Sequence, residues 1–383
     1  MASELDQLWL DGSSRILKRC EMSASELDSG FPHFADPETG AWTLSPQGDW
    51  TGGYFCAILW LDAHLTGSDN VRALARRFCA ALGPRIDSRT VFRAFLFYYG
   101  AALGAIVCGD ALARELALDG ARALATTYNA RARCFGLGEQ AEEASDVGNC
   151  ETSIDAVGPL CALLAWAGAQ SGDERMGAIA REHALTHIEF CLRPDGSVCQ
   201  SATFDENTGR LIRRYTHKGF AENSTWARAQ AWGMLGYTFA ARCFPQEPRL
   251  LEAAYQTADW WLAHAPSDLV AFWDFDHPAI PDTYRDTSAT AIAAAALLKL
   301  SALTPEAERA RRYRAFAERV AATLVRNYLT PVSPTDRRPP GILTEGCYNA
   351  RIGLAVKNEL IWGTYYLLES TLALSGRIDP LAL

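Results

Sequence analysis

The sequence predicts an all-α protein whose helices close into an (α/α)6 barrel, six helical hairpins arranged as two concentric rings. Three observations predict it. Helical periodicity runs along the chain with almost no period-two stretches, and it divides into twelve segments. The links between segments alternate short and long. The segments themselves alternate between charged and apolar or small-residue character.

Leu5–Cys20 opens the series. A long link containing SPQGDWTGG leads to Tyr54–Leu65, and the short turn TGSDN leads on to Asn70–Leu82. GPRIDSRT, the shortest of the long group, precedes Val91–Cys108, and GD joins that to Ala111–Thr126. SDVGNCETSID introduces Ser153–Ser171, and a second GD turn leads to Glu174–Cys191. A link containing THKGFAEN precedes Ser224–Cys243, which FPQEP connects to Arg249–His264. FWDFDHPAIPDTYRDTS precedes Thr287–Ser301, and LTPEA starts Pro305–Asn327. GILTEGCYNARIG precedes Val356–Ser375. The short turns carry Gly, Pro, Asp and Ser and end in N-cap residues. Even-numbered segments such as AFLFYYGAALGAIVC and TSATAIAAAALL suit an inner ring packed on both sides. Odd-numbered ones such as EAERARRYRAFAERVAATLVRN carry a charged face and suit the outside. All long links then meet at one end. A helical solenoid is the competing arrangement, but no motif recurs at fixed period. A small β-hairpin fits within GSVCQSATFDENTGRLIRRYTH.

Composition limits the function. The 383 residues are 49% hydrophobic and 21% charged, enough for a large core under an ordinary surface, and are read as a single (α/α)6-barrel domain over 1–383. The net charge of −9 argues against nucleic acid and against an anionic membrane as partners. The first twenty residues do not read as a signal peptide, and the uncharged stretch 94–108 is too short to span a bilayer. Eleven cysteines with no C-x-x-C pair read as reduced thiols of a cytoplasmic protein. His183 and His187 share a helical face, but no zinc spacing accompanies them, and no metal or organic cofactor is expected. A monomer or homodimer is expected.

Pooling the long links and the starts of the even helices brings together Trp42, Trp50, Asp155, His217, Lys218, Trp226, Arg228, Gln230, Trp232, Trp273, Asp274, Asp276, Arg285, Asp286, Tyr348 and Arg351. Aromatic faces among carboxylates, amides and guanidiniums describe a carbohydrate site. Sugar C–H faces stack on rings, and sugar hydroxyls need fixed polar partners. Cations in such a site suit an acidic sugar. Each residue also has a plain structural reading: tryptophans as core, Arg228 paired with Asp286, Asp155 favouring a helix start.

Six stretches in order, WTGGYFCAILWLDAHLTG, SIDAVGPLCALLAWAG, RPDGSVCQSATFD, THKGFAENSTWARAQAWGMLGYTFA, FWDFDHPAIPDTYRDTSATAIAAAALLKL and NELIWGTYYLLES, resemble glycoside hydrolase family 88, the unsaturated glucuronyl hydrolases, and the related family 105. The resemblance covers about Trp50 to Leu374. It implies an (α/α)6 barrel and an acidic oligosaccharide substrate ending in a 4,5-unsaturated uronic acid. An aspartic acid protonates C4, water adds at C5, and the resulting hemiketal collapses with loss of the linkage. The resemblance assigns the acid/base role to Asp155 and substrate binding to His217, Trp226, Arg228 and Trp232. Trp50, Arg93, Gln200, Lys218 and Arg351 complete the expected binding set.

The chain departs from the family pattern in four places. The acid of a His-Asp pair falls on Phe92 or Arg93, so no second acid stands there. Lys218 replaces Gln, Gln200 replaces His, and Thr364 replaces Asp. A helix start, Arg93 and Lys218 all favour ionised Asp155, whereas a general acid needs burial or the substrate carboxylate to oppose them. A lyase or hydrolase of saturated acidic oligosaccharides, or a non-catalytic acidic-sugar-binding protein, are the alternatives on the same fold.

Overall fold

A computed structural model describes residues 4–141 and 148–383. Twelve helices follow the expected order: α1 Glu4–Glu26, α2 Gly52–Thr66, α3 Asp69–Ala81, α4 93–108, α5 Ala111–Ala125, α6 Val157–Ser171, α7 Glu174–Cys191, α8 Ala227–Cys243, α9 Pro248–His264, α10 Thr287–Leu303, α11 Ala307–Asn327 and α12 Ile361–Leu374. The even helices touch in sequence, α2 to α4 to α6 to α8 to α10 to α12, and α12 returns to α2. That closed inner ring rules out an open solenoid. The odd helices pack outside it, each against its hairpin partner.

Composition explains the two rings. Every residue of α10 from Thr287 to Leu300 is buried, and α12 is buried along its whole length. An all-round apolar helix needs neighbours on every side. In α11 only one stripe is buried, Tyr313, Ala317, Val320, Ala321, Leu324 and Val325 among it, and the arginines face out. The short turns work as caps. Ser68, Asp110 and Asp173 each accept a backbone N–H of the following helix, and Gly67, Gly109 and Gly172 close the preceding helices in the left-handed region.

Helix α4 holds a π turn at Tyr98–Ala102. The turn leaves carbonyls off the regular ladder, and the Trp60 indole N–H takes one of them, Gly100 O, at 2.9 Å. Close contact of α2 and α4 needs glycine: a Cβ on Gly53 would lie 2.6 Å from Phe95 O. The inner face of this region carries Tyr54, Tyr99 and Tyr366, whose hydroxyls meet at 3.1 and 2.6 Å.

Three small sheets, largely unannounced by periodicity, decorate the long links. Strands β1 Phe31–Ala35, β2 Trp42–Ser45 and β8 Glu359–Leu360 form one, and β3 Tyr128–Asn129 with β4 Cys134–Phe135 form another. The third joins β5 Glu151–Ser153, β6 Ser201–Phe204 and β7 Leu211–Tyr215 in the order β5-β6-β7. The β6–β7 pair is the expected hairpin. Part of the link SDVGNCETSID lies outside the described residues.

Candidate active site

The β5-β6-β7 sheet builds the polar half of the site. Its register places Ser153, Ser201 and Tyr215 side by side. The residues just beyond them therefore leave the sheet at the same edge: Asp155 after β5, Gln200 before β6, and 216–218 after β7. Sheet register, which no local sequence pattern states, gathers four predicted residues here. Asp155 sits in the 3-10 turn Ile154–Ala156 that runs into α6, and its backbone N–H is capped by the Ser153 hydroxyl at 3.3 Å.

Gln200 ties the edge together. Its Nε2 donates to Asp155 Oδ2 at 3.3 Å. Its Oε1 accepts from Thr216 Oγ1 at 2.8 Å, His217 N at 2.9 Å and Lys218 N at 3.2 Å. His217 Nε2 contacts Glu151 Oε1, while Arg351 Nη1 donates to the His217 carbonyl at 3.1 Å. Gln200, His217 and Arg351 thus form a bracing layer behind the cleft.

The cleft itself is lined by Trp50, Phe92, Phe95, Asp155, Lys218, Trp226, Arg228 and Trp232. Asp155 is 7% exposed there. The Lys218 ammonium, itself buried, lies 4.5 Å from the centre of the Tyr348 ring. Trp50 packs on Trp362 and Phe95, and Trp232 meets Phe95 edge-on. Arg228 has a double character. It is 1% exposed and lines the cleft, with its guanidinium 4.4 Å from the Trp226 ring. It also donates to Asp286 Oδ2 at 2.8 Å, to Cys347 O and to Tyr348 O at 2.6 Å. The Arg228–Asp286 pair offered as a structural reading is therefore present, and it ties α8 to the start of α10 and to the 347–348 backbone.

One expected ligand is turned away. Arg93 Nη1 donates to Ile86 O at 2.6 Å and Nη2 to Ala123 O at 2.8 Å, and burial pushes its pKa down to about 10. The start of α4 directs residue 93 outward against α5 and residue 92 inward, so Phe92 lines the cleft. One cation expected to bear on Asp155 is thereby removed. Trp42 also lies elsewhere, in a groove along α1 where its Nε1 donates to Ser23 Oγ at 3.0 Å.

Other pooled residues shape loops. Gln230 Oε1 accepts from Val198 N, and its Nε2 donates to Gly196 O and Thr257 O. Asp274 accepts from Phe220 N, Ser224 Oγ and Asp276 N, and Asp276 from Thr225 N. Arg285 pairs with Asp268 at 2.7 Å, and Trp273 Nε1 donates to Thr283 Oγ1 at 3.0 Å. The Asp274 and Asp276 bonds strap the loop 272–286 to residues 220–225, which lead into Trp226 and Arg228. His183 and His187 are not poised for a metal: His183 Nδ1 accepts from Phe135 N, and the two rings pack 4.1 Å apart. Among the described residues no group of three or more His, Cys, Asp or Glu is placed to hold a metal ion.

Sequence reasoning missed Phe95 and Glu151. Phe95 follows Phe92 by three positions on a helix, so the two share a face, a signal hidden inside a uniformly apolar run. Glu151 reads as one more loop acid until the sheet sets it beside His217.

No family model matches the chain. It is 34% identical over 375 residues to an unsaturated glucuronyl hydrolase of Bacillus sp. (strain GL1), covering 96% of this chain and 97% of that one. An unsaturated glucuronyl hydrolase of Formosa agariphila is 32% identical over 329 residues, 85% of this chain and 80% of the relative. A solved unsaturated glucuronyl hydrolase variant with dGlcA-Glc-Rha-Glc superposes with a TM-score of 0.88 at 32% identity, covering 96% of each chain.

Proposed function

Because the chain belongs to the unsaturated glucuronyl hydrolases of glycoside hydrolase family 88, we propose that it removes a terminal 4,5-unsaturated uronic acid from lyase-generated acidic oligosaccharides, with Asp155 moving the proton. The observation that carries the assignment is that Asp155 is the one carboxyl among the eight residues lining the cleft. The Asp155 carboxylic acid gives its proton to C4 of the ring vinyl ether, leaving an oxocarbenium ion across C5 and the ring oxygen. The resulting carboxylate takes a proton from the water that adds at C5, which restores the acid. The C5 hemiketal opens to a ketone, C1 becomes a hemiacetal, and the leaving sugar departs with its own oxygen. The net reactant is one water.

The walls suit this substrate. Trp50, Phe92, Phe95, Trp226 and Trp232 offer apolar faces to a flattened, unsaturated ring. Lys218, which lines the cleft, supplies a cation for the uronate carboxylate, and Arg228 is paired with Asp286. Gln200 holds Asp155 by one oxygen, with Trp50, Trp226, Arg228 and Trp232 as direct contacts and His217 and Arg351 as supports. No helix among the described residues is long and apolar enough to cross a membrane. The reading further takes 1–383 as one catalytic domain, monomeric or homodimeric, working in the cytoplasm, which eleven free thiols support.

The test is loss of the ultraviolet absorbance of the unsaturated uronide across a panel of lyase-generated oligosaccharides. Wild-type turnover is expected with at least one member, and Asp155→Asn is expected to lower kcat by about 10²–10⁴-fold at similar KM. Turnover of saturated uronides alone, or an unimpaired Asp155→Asn, would refute the assignment.

A further inference from the structure

Glu151 has no place in the proton transfer, yet its side chain is 0% exposed and its carboxylate contacts His217 Nε2. A carboxylate removed from water is costly unless its partners are worth keeping, and replacing such a pair by apolar groups often stabilises a protein. What distinguishes this pair from ordinary glue is where its two ends lie. Glu151 opens the strand that ends in the Asp155 turn. His217 is the residue before Lys218, which carries the cleft's ammonium.

His217 is held on three sides. Glu151 fixes its ring, Gln200 Oε1 accepts its backbone N–H at 2.9 Å, and Arg351 donates to its carbonyl at 3.1 Å. The Tyr215 ring packs against the imidazole at 5.1 Å. The ring itself remains 19% exposed, while its carboxylate partner is fully buried. Beside the Gln200 bridge, the Glu151 contact is a second side-chain link between the strand leading to the acid and the loop leading to the cation. The contact with Glu151 at Nε2 sets the ring plane.

We propose that Glu151 is a positioning residue for the reaction: acting through His217, it holds the 216–218 loop, and with it Lys218, in register with Asp155. The proposal rests on the reading that Asp155 and Lys218 serve the unsaturated uronide.

Activity and stability separate this role from a structural one. Glu151→Met keeps the volume and removes the buried charge but leaves the His217 Nε2 donor unpaired at a partly exposed position, so its melting temperature is expected to fall by no more than about 2–6 °C. Its kcat/KM on the unsaturated oligosaccharide is expected to fall about 10–100-fold, the scale of a misplaced active-site group. Glu151→Gln restores an acceptor for Nε2 and is expected to recover kcat/KM to within about fivefold of wild type. In a His217→Ala background, Glu151→Met is expected to add less than about twofold, because the path is already cut. Full activity of Glu151→Met overturns the proposal, and so does an undiminished effect of it in the His217→Ala background. Should Glu151→Met not fold, the role is structural and the proposal falls. Asp155→Asn run in parallel keeps the two readings apart: an unimpaired Asp155→Asn beside a crippled Glu151→Met sinks the proton-transfer assignment while leaving the coupling through His217 in place.

Discussion

Removing the Gln200 side chain is expected to disable the site by loosening it. In Gln200→Ala, Asp155 Oδ2 loses a donor at 3.3 Å, and three donors lose a common acceptor at 2.8, 2.9 and 3.2 Å. Two of those donors are backbone N–H groups of His217 and Lys218. A buried donor left unpaired costs about 1–3 kcal/mol, and water entering the vacated space favours the low end, so a total of about 2–4 kcal/mol is expected. In a chain of 383 residues this lowers the melting temperature by only about 2–6 °C. The catalytic effect is larger in proportion, since freeing Asp155 and the Lys218 loop by about 1 Å costs about 10²-fold in kcat/KM. Both quantities are read from calorimetry and from the ultraviolet assay on the same preparations. Gln200→His, which restores the residue that the family resemblance expects, should recover most of the rate with one donor and one acceptor nitrogen. A Gln200→Ala enzyme within about threefold of wild-type kcat/KM would refute the idea that this amide organises the site.

Three further outcomes are expected. Lys218→Gln should raise KM for an anionic substrate about 10–100-fold with kcat little changed, as for a charge-assisted contact of about 1.5–3 kcal/mol, and should flatten the salt dependence of KM. Abolished turnover at unchanged KM would instead make Lys218 the proton-transfer group. Arg93→Met should leave KM within about twofold while lowering the urea midpoint, because its donors serve Ile86 O and Ala123 O rather than substrate. His187 gives a pH signature. Burial pulls its pKa from 6.5 down to about 4, so the folded chain keeps it neutral where the unfolded chain takes a proton. Its stabilisation is fully present above about pH 6.5 and is lost as pH falls toward 4, amounting to about 3 kcal/mol. His187→Asn should flatten the urea midpoint between pH 6.5 and 5, and an unchanged slope would contradict this.

The sequence by itself determined the barrel. Twelve helical segments, alternating links and alternating apolar and charged helices are local properties, and closing six hairpins is the way they bury together. The chemistry of the mouth was legible for a related reason. Asp155, Trp50, Lys218, Trp226, Arg228 and Trp232 lie in long links or at inner-helix starts, which the barrel must bring to one end. Tertiary structure decided what each polar residue does there. Asp274, Asp276, Gln230 and Arg285 carry the same side-chain chemistry as sugar ligands, yet backbone and side-chain groups of neighbouring segments take their hydrogen bonds first. Arg93 and Phe92 are adjacent in sequence, and only the pitch of α4 against α5 sends the cation outward and the ring inward. The bracing of Asp155 by Gln200, and of His217 by Glu151, depends on the register of three short strands. The hairpin of two of these strands was legible, but the pairing of β5 with it joins segments far apart in sequence, and that pairing and the register of all three are decided by the packing around them.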